Sequence, residues 1–140
     1  MVQVIPSPGL STADVDVLIP SVNALQLTEA RTATAAPGGA TGVISTNTDF
    51  VTVTCDDANK VITLPTPTPG VVVAISNGAT GYELRSSTPA SVAINGGVAA
   101  NAESAIPADT LVICVCRTAT AWLCSNTDTA GVVTATEVAV

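Results

Sequence analysis

From Phe50 to Ser125 the chain is a succession of short Val-, Ile- and Leu-rich runs, each cut off by Pro, Gly, Asn or Asp before it reaches helix length. Phe50–Cys55 alternates, which places Val51, Val53 and Cys55 on one strand face. Asp56-Asp57-Ala58-Asn59 reads as a turn, and Val61–Leu64 as the return strand of a hairpin. Pro65, Pro67, Pro69 and Gly70 make a stiff connection. Val71–Ser76 is a nearly continuous apolar strand, and Asn77-Gly78 is a strong turn signal. Tyr82–Arg85, Ser91–Asn95, Ala102–Ile106, Leu111–Cys116 and Ala121–Ser125 follow as further strands. Pro89, Gly96-Gly97, Pro107 with Asp109, and Arg117–Thr120 separate them. Short strands at this spacing predict an all-β fold, an antiparallel β-sandwich or barrel of jelly-roll-like form.

Outside that stretch the pattern weakens. Residues 1–49 are broken by Pro6, Pro8, Gly9, Pro20, Pro37, Gly38, Gly39 and Gly42, and read as an extended arm making inter-subunit contacts. Within it, Asn23–Ala30 is compatible with one or two helical turns capped by Asn23. The apolar residues Val2, Val4, Ile5, Leu18 and Ile19 are the expected interface residues of the arm. Residues 50–126 form the β domain, and 127–140 a tail or a last β segment. With 140 residues there is material for one core.

Charge is the unusual quantity. Only 11% of residues are charged, less than half the usual quarter, while the mean hydropathy is +0.53. A folded chain of this mass exposes roughly 6,600 Å², so few charges cover it thinly and leave neutral patches of the kind that mark interfaces. A homo-oligomer is expected. The net charge of −7, with four Lys/Arg in all, excludes a basic footprint for nucleic acid. No apolar run approaches the ~20 residues of a membrane-spanning helix. Met1–Leu10 lacks the basic start of a signal peptide. Synthesis and assembly in a reducing cytoplasm are therefore expected.

Residues that carry chemistry are scarce. There is no histidine and one lysine, Lys60. The commonest general base is missing, and with it nucleophilic triads and His-bearing metal sites. The chain is expected not to be an enzyme and to use no cofactor, metal or small-molecule substrate. Asp56-Asp57 with Asn59 admits a cation in principle, but adjacent carboxylates in a turn more often cap a hairpin. Asp14 and Asp16 show no EF-hand spacing. Glu83 and Arg85 share a strand face and read as a surface pair. Cys114-x-Cys116 points two sulfurs to one face, with Cys124 across a hairpin. Free thiols filling the core are the first reading of Cys55, Cys114, Cys116 and Cys124. A disulfide such as Cys116–Cys124 and a metal site are the alternatives. Trp122 and Tyr82 read as core anchors before they read as a sugar site.

The run Lys60–Asn126 contains an LPTPTPG connection (Leu64–Gly70), NGATGYELRSS (Asn77–Ser87), PASVAINGG (Pro89–Gly97) and ANAESAIPA (Ala100–Ala108), then a strand and Trp122. This order resembles small tailed-phage head proteins of the decoration, or cement, kind. The resemblance covers about half the chain and leaves residues 1–49 unmatched. It implies a virion protein on the outer surface of the capsid, commonly a homotrimer, bound to the major capsid protein and stabilising the shell against internal pressure. The alternative is a phage tail-fibre or adhesin-like receptor-binding module.

Overall fold

The computed structural model describes residues 27–36 and 38–140. Ten strands follow in order: β1 (Thr28–Thr32), β2 (Phe50–Thr54), β3 (Val61–Thr63), β4 (Val72–Asn77), β5 (Tyr82–Arg85), β6 (Ala93–Ile94), β7 (Glu103–Ile106), β8 (Leu111–Thr118), β9 (Ala121–Thr127) and β10 (Val133–Ala135). No helix occurs among the described residues. The large sheet has the order β1-β2-β4-β8-β9-β10, with β6 beside β9, and the small sheet has the order β3-β5-β7. The two pack face to face as a β-sandwich. Strand positions match the alternation because each strand has one buried face. Val51 and Val53, Val73 and Ile75, and Tyr82 and Leu84 point inward and their neighbours outward. Trp122, Val112, Cys114 and Cys116 add to the large-sheet side of the core, and Ile62, Ser104 and Ile106 to the small-sheet side.

Pairing is mixed rather than purely antiparallel. The ladders β4–β8, β8–β9, β9–β10 and β5–β7 are antiparallel. The pairs β1–β2, β2–β4, β3–β5 and β6–β9 are parallel. The hairpin expected at 50–64 does not form, since β2 lies in the large sheet and β3 in the small one. The turn at Asp56–Asn59 carries the chain from one layer to the other. All three residues of β3 are buried, so it has no solvent face to alternate with.

The described part of residues 1–49 is not an arm. Thr28–Ala30, the end of the stretch expected to hold one or two helical turns, are part of β1, which pairs in register with β2. Local propensity does not account for this, since Glu29, Ala30 and Arg31 are helix formers; the five-residue ladder with β2 overrides it. Ala33 and Ile44 lie in the core. The segment between them covers the free edge of β3. Thr34 and Val61 exchange backbone hydrogen bonds, Thr63 N–H donates to Gly42 O, and Ile44 N–H donates to Thr63 O.

The far edge of the small sheet is covered by the end of the chain. Glu103 and Val140 exchange backbone hydrogen bonds, Ala139 N–H donates to Ile94 O, and Glu137 Oε2 accepts from Ala105 N–H. Gly97 is the contact point beneath this strap, since a Cβ there would overlap the Ala139 backbone. Residues 127–140 are thus a last strand plus a strap that joins both sheets.

Two asparagines hold the connections. Asn77, at the end of β4, donates from Nδ2 to Thr80 O and Pro107 O, and its Oδ1 accepts from Thr110 N–H and Oγ1. One buried amide therefore pins two of the sheet-to-sheet crossings, β4–β5 and β7–β8. Asn95 and Gly96 have φ of 50° and 93°, as a type I′ turn requires, and Ile94 and Gly97 bond across it. The Asn95 side chain then fills the gap between β6 and β10. Its Nδ2 donates to Cys124 O and Thr136 O, and its Oδ1 accepts from Cys124 N–H.

Candidate interaction face

The outward side chains of the large sheet can be read off the register. One row runs Thr28, Phe50, Ala74, Ile113, Ser125, Ala135. The next runs Ala30, Thr52, Ser76, Leu111, Thr127, Val133. A third, Val72, Val115, Leu123, is apolar on three adjacent strands, each residue more than a third exposed. Arg117, past the end of this row on β8, is the one charged residue among the outward positions of these strands. With strands about 4.8 Å apart and rising about 3.3 Å per residue, the six-stranded face covers roughly 400–500 Å². That is the size of the largest patch on an ordinary monomer, which is often a functional one.

The opposite side of the molecule is different in kind. The outer face of the small sheet carries Glu83, Arg85 and Glu103, with Glu137 of the strap alongside. Arg85 pairs with Glu103 at 3.1 Å and not with its strand neighbour Glu83. The reason is register, since Arg85 and Glu103 are directly opposite on β5 and β7. Burial raises the carboxyl of Glu83 above its ordinary range, and the nearby Glu103 and Glu137 raise it further. A carboxyl raised in the folded state costs stability as pH rises through its titration. Glu83→Gln is expected to raise the melting temperature at neutral pH and to change nothing at acid pH, where Glu83 is already protonated. Thermal melts at both pH values check this.

The other acids among the described residues sit in loops and at edges. Asp56 pairs with Lys60 at 2.6 Å, and Asp57 Oδ1 accepts from Asn59 N–H and Nδ2. These bonds hold both carboxyls below their ordinary range and use them as turn caps. On β1, Glu29 bonds Arg31 and Ser45 N–H, which outweighs burial and lowers its carboxyl. Among the described residues no three His, Cys, Asp or Glu side chains converge as metal ligands.

Trp122 and Tyr82 are 0% and 1% exposed, which removes them as a sugar platform and leaves them as core anchors. An open cleft of about 390 Å³ at one end of the large sheet is lined by Asn77, Asp109, Leu111 and Asp128. Asp128 Oδ1 is spent there on the N–H groups of Ala130 and Val132. The four cysteines are free thiols, three of them buried. Cys124 faces Cys114, while the register partner of Cys116 is Trp122, so the alternative of a Cys116–Cys124 disulfide is not the pairing the sheet makes. Val2, Val4, Ile5, Leu18 and Ile19, and with them Asp14 and Asp16, lie outside the described residues.

The neutral face was not legible as a surface. Its residues come from six separate strands, and only the register brings them together. No protein-family model, curated protein or solved structure matches the chain.

Proposed function

We propose that this chain is a structural protein of a virus particle, a capsid decoration protein. It packs the neutral face of its large sheet against neighbouring protein subunits and turns its acidic small sheet to solvent. The observation that carries the reading is this division of the surface. Among the described residues, no Asp or Glu occupies an outward position of the six strands. A molecule of net charge −7 repels its own copies and any acidic shell, and a neutral face is where that repulsion is least. The resemblance of Lys60–Asn126 to phage head decoration proteins supports the same role, with the major capsid protein and copies of the chain, as a trimer, for partners.

The magnitudes favour a multivalent clip. A standard interface takes about 800 Å² from each partner, and the face supplies a little over half of that. One contact of this size is weak once the cost of association is met. Several copies bound together gain avidity instead.

Val115 and Leu123 lie in the end row of the face, on its two adjacent strands β8 and β9, and are 37% and 48% exposed, so a charge placed there reaches solvent. Leu123→Asp is expected to weaken co-sedimentation with assembled shells about 10–100-fold, with a melting temperature lowered by only about 5 °C, so that the domain stays folded. Glu83→Gln, on the opposite face, is expected to leave shell binding unchanged. Undiminished decoration by Leu123→Asp would reject the assignment of the face.

A further inference from the structure

Cys114 in β8 and Cys124 in β9 are register partners, and their sulfurs stand 3.0 Å apart in the core. The kind of pair they make matters. Cys124 turns both backbone groups away from β8. Its N–H donates to Asn95 Oδ1, and its C=O accepts from Asn95 Nδ2 and Thr136 N–H. The two cysteines are therefore a non-hydrogen-bonded pair. In an antiparallel ladder such pairs bring Cα atoms to about 4.5 Å, inside the roughly 4.4–6.8 Å that a disulfide spans. Cys116 is placed otherwise: it lies opposite Trp122, and its thiol donates to Thr118 O.

We propose that Cys114 and Cys124 form a covalent cross-linking site, a dithiol in reducing surroundings that closes to a disulfide on exposure to a peroxide. One thiolate attacks a peroxide oxygen, the O–O bond breaks, and the sulfur becomes a sulfenic acid while water leaves with the thiol proton. The second sulfur attacks the sulfenic sulfur. An S–S bond forms, the S–O bond breaks, and a second water leaves with the second proton. Two thiols lose two electrons and two protons, and one hydrogen peroxide becomes two waters. A small oxidant is the right class, because both sulfurs are buried. Burial also pushes the Cys114 thiol well above its ordinary range. Reaction therefore runs through local opening of the β8–β9 ladder and is slow. The product ties the middle of the longest hairpin. This site is independent of the shell-binding reading.

Arg117 lies between the two cysteines, so trypsin separates them. The full chain is treated with hydrogen peroxide, blocked with iodoacetamide and digested without reductant. The expected result is a joined Ser86–Arg117 and Thr118–Val140 peptide in the wild type and in Cys116→Ala, and its loss in Cys114→Ala and Cys124→Val. The oxidised wild type is expected to melt about 5 °C or more above the reduced form. Circular dichroism confirms that each variant is folded before treatment. A joined peptide surviving in Cys114→Ala overturns the assignment. So does its absence from wild type in a sample where the half-exposed Cys55 has been oxidised.

Discussion

Asn77→Ala is expected to lower the stability of the domain by about 3–5 kcal/mol, a large share of the 5–15 kcal/mol that holds a domain together. Truncation removes four hydrogen bonds and leaves Thr110 N–H and Thr80 O without their partner, while Pro107 O keeps the bond from Thr110 Oγ1. Each such group costs about 1–3 kcal/mol when water cannot reach it, and partial hydration of the crossings recovers some of that. Asn77→Asp is the discriminating variant. It keeps the acceptor for Thr110 and points a carboxylate at two carbonyl oxygens. It is expected to approach the stability of wild type at acid pH and to fall toward the alanine variant at neutral pH. Denaturant melts at the two pH values read the difference.

Removing Thr136–Val140 is expected to cost about as much, roughly 3–5 kcal/mol or 10–20 °C of melting temperature. The strap contributes the backbone exchange with Glu103, the Ala139–Ile94 bond, the Glu137–Ala105 bond, and the Thr136 hydroxyl donated to Asn126. Its loss also uncovers the edge of β7. Gly97→Ala is expected to act through the same contact, because the added methyl occupies the place of the Ala139 backbone. The two changes should therefore not add. In the truncated chain Gly97→Ala is expected to cost well under 1 kcal/mol beyond the ordinary effect of a turn substitution, and the double-mutant cycle measures this. Additive losses would mean that Gly97 matters for its turn alone.

Much of the fold was legible, and the boundary of legibility is physical. Tyr82–Arg85, Leu111–Cys116 and Ala121–Ser125 announced themselves because each has one wet and one dry face. Val61–Thr63 was visible as a strand, but its partner was not, since burial on all sides erases alternation and local sequence does not name a partner two strands away. Thr28–Thr32 was missed as a strand because its half-buried residues are Glu29 and Arg31, which satisfy each other and Ser45 at the sheet edge instead of joining the apolar core. Asn77-Gly78 carried a hairpin signal, yet the side chain of Asn77 is what the structure uses. A tight turn of that type forms instead at Asn95-Gly96, closed by the single Ile94–Gly97 bridge. The scarcity of charge foretold an interface, but which face was neutral depended on register across strands from both halves of the chain.

The parallel neighbours β1–β2, β2–β4, β3–β5 and β6–β9 have a consequence in time. None can be zipped from a tight turn, so each intervening loop must close before its ladder returns any energy. Folding should therefore be slow for a chain of this size. Contacts that form after the folding barrier slow the reverse passage most. The strap and the residues around Thr34 and Ile44 bond parts of the chain far apart in sequence and are expected to dock late, so their contacts should act mainly to slow unfolding, which unfolding rates of the strap-truncated chain would read.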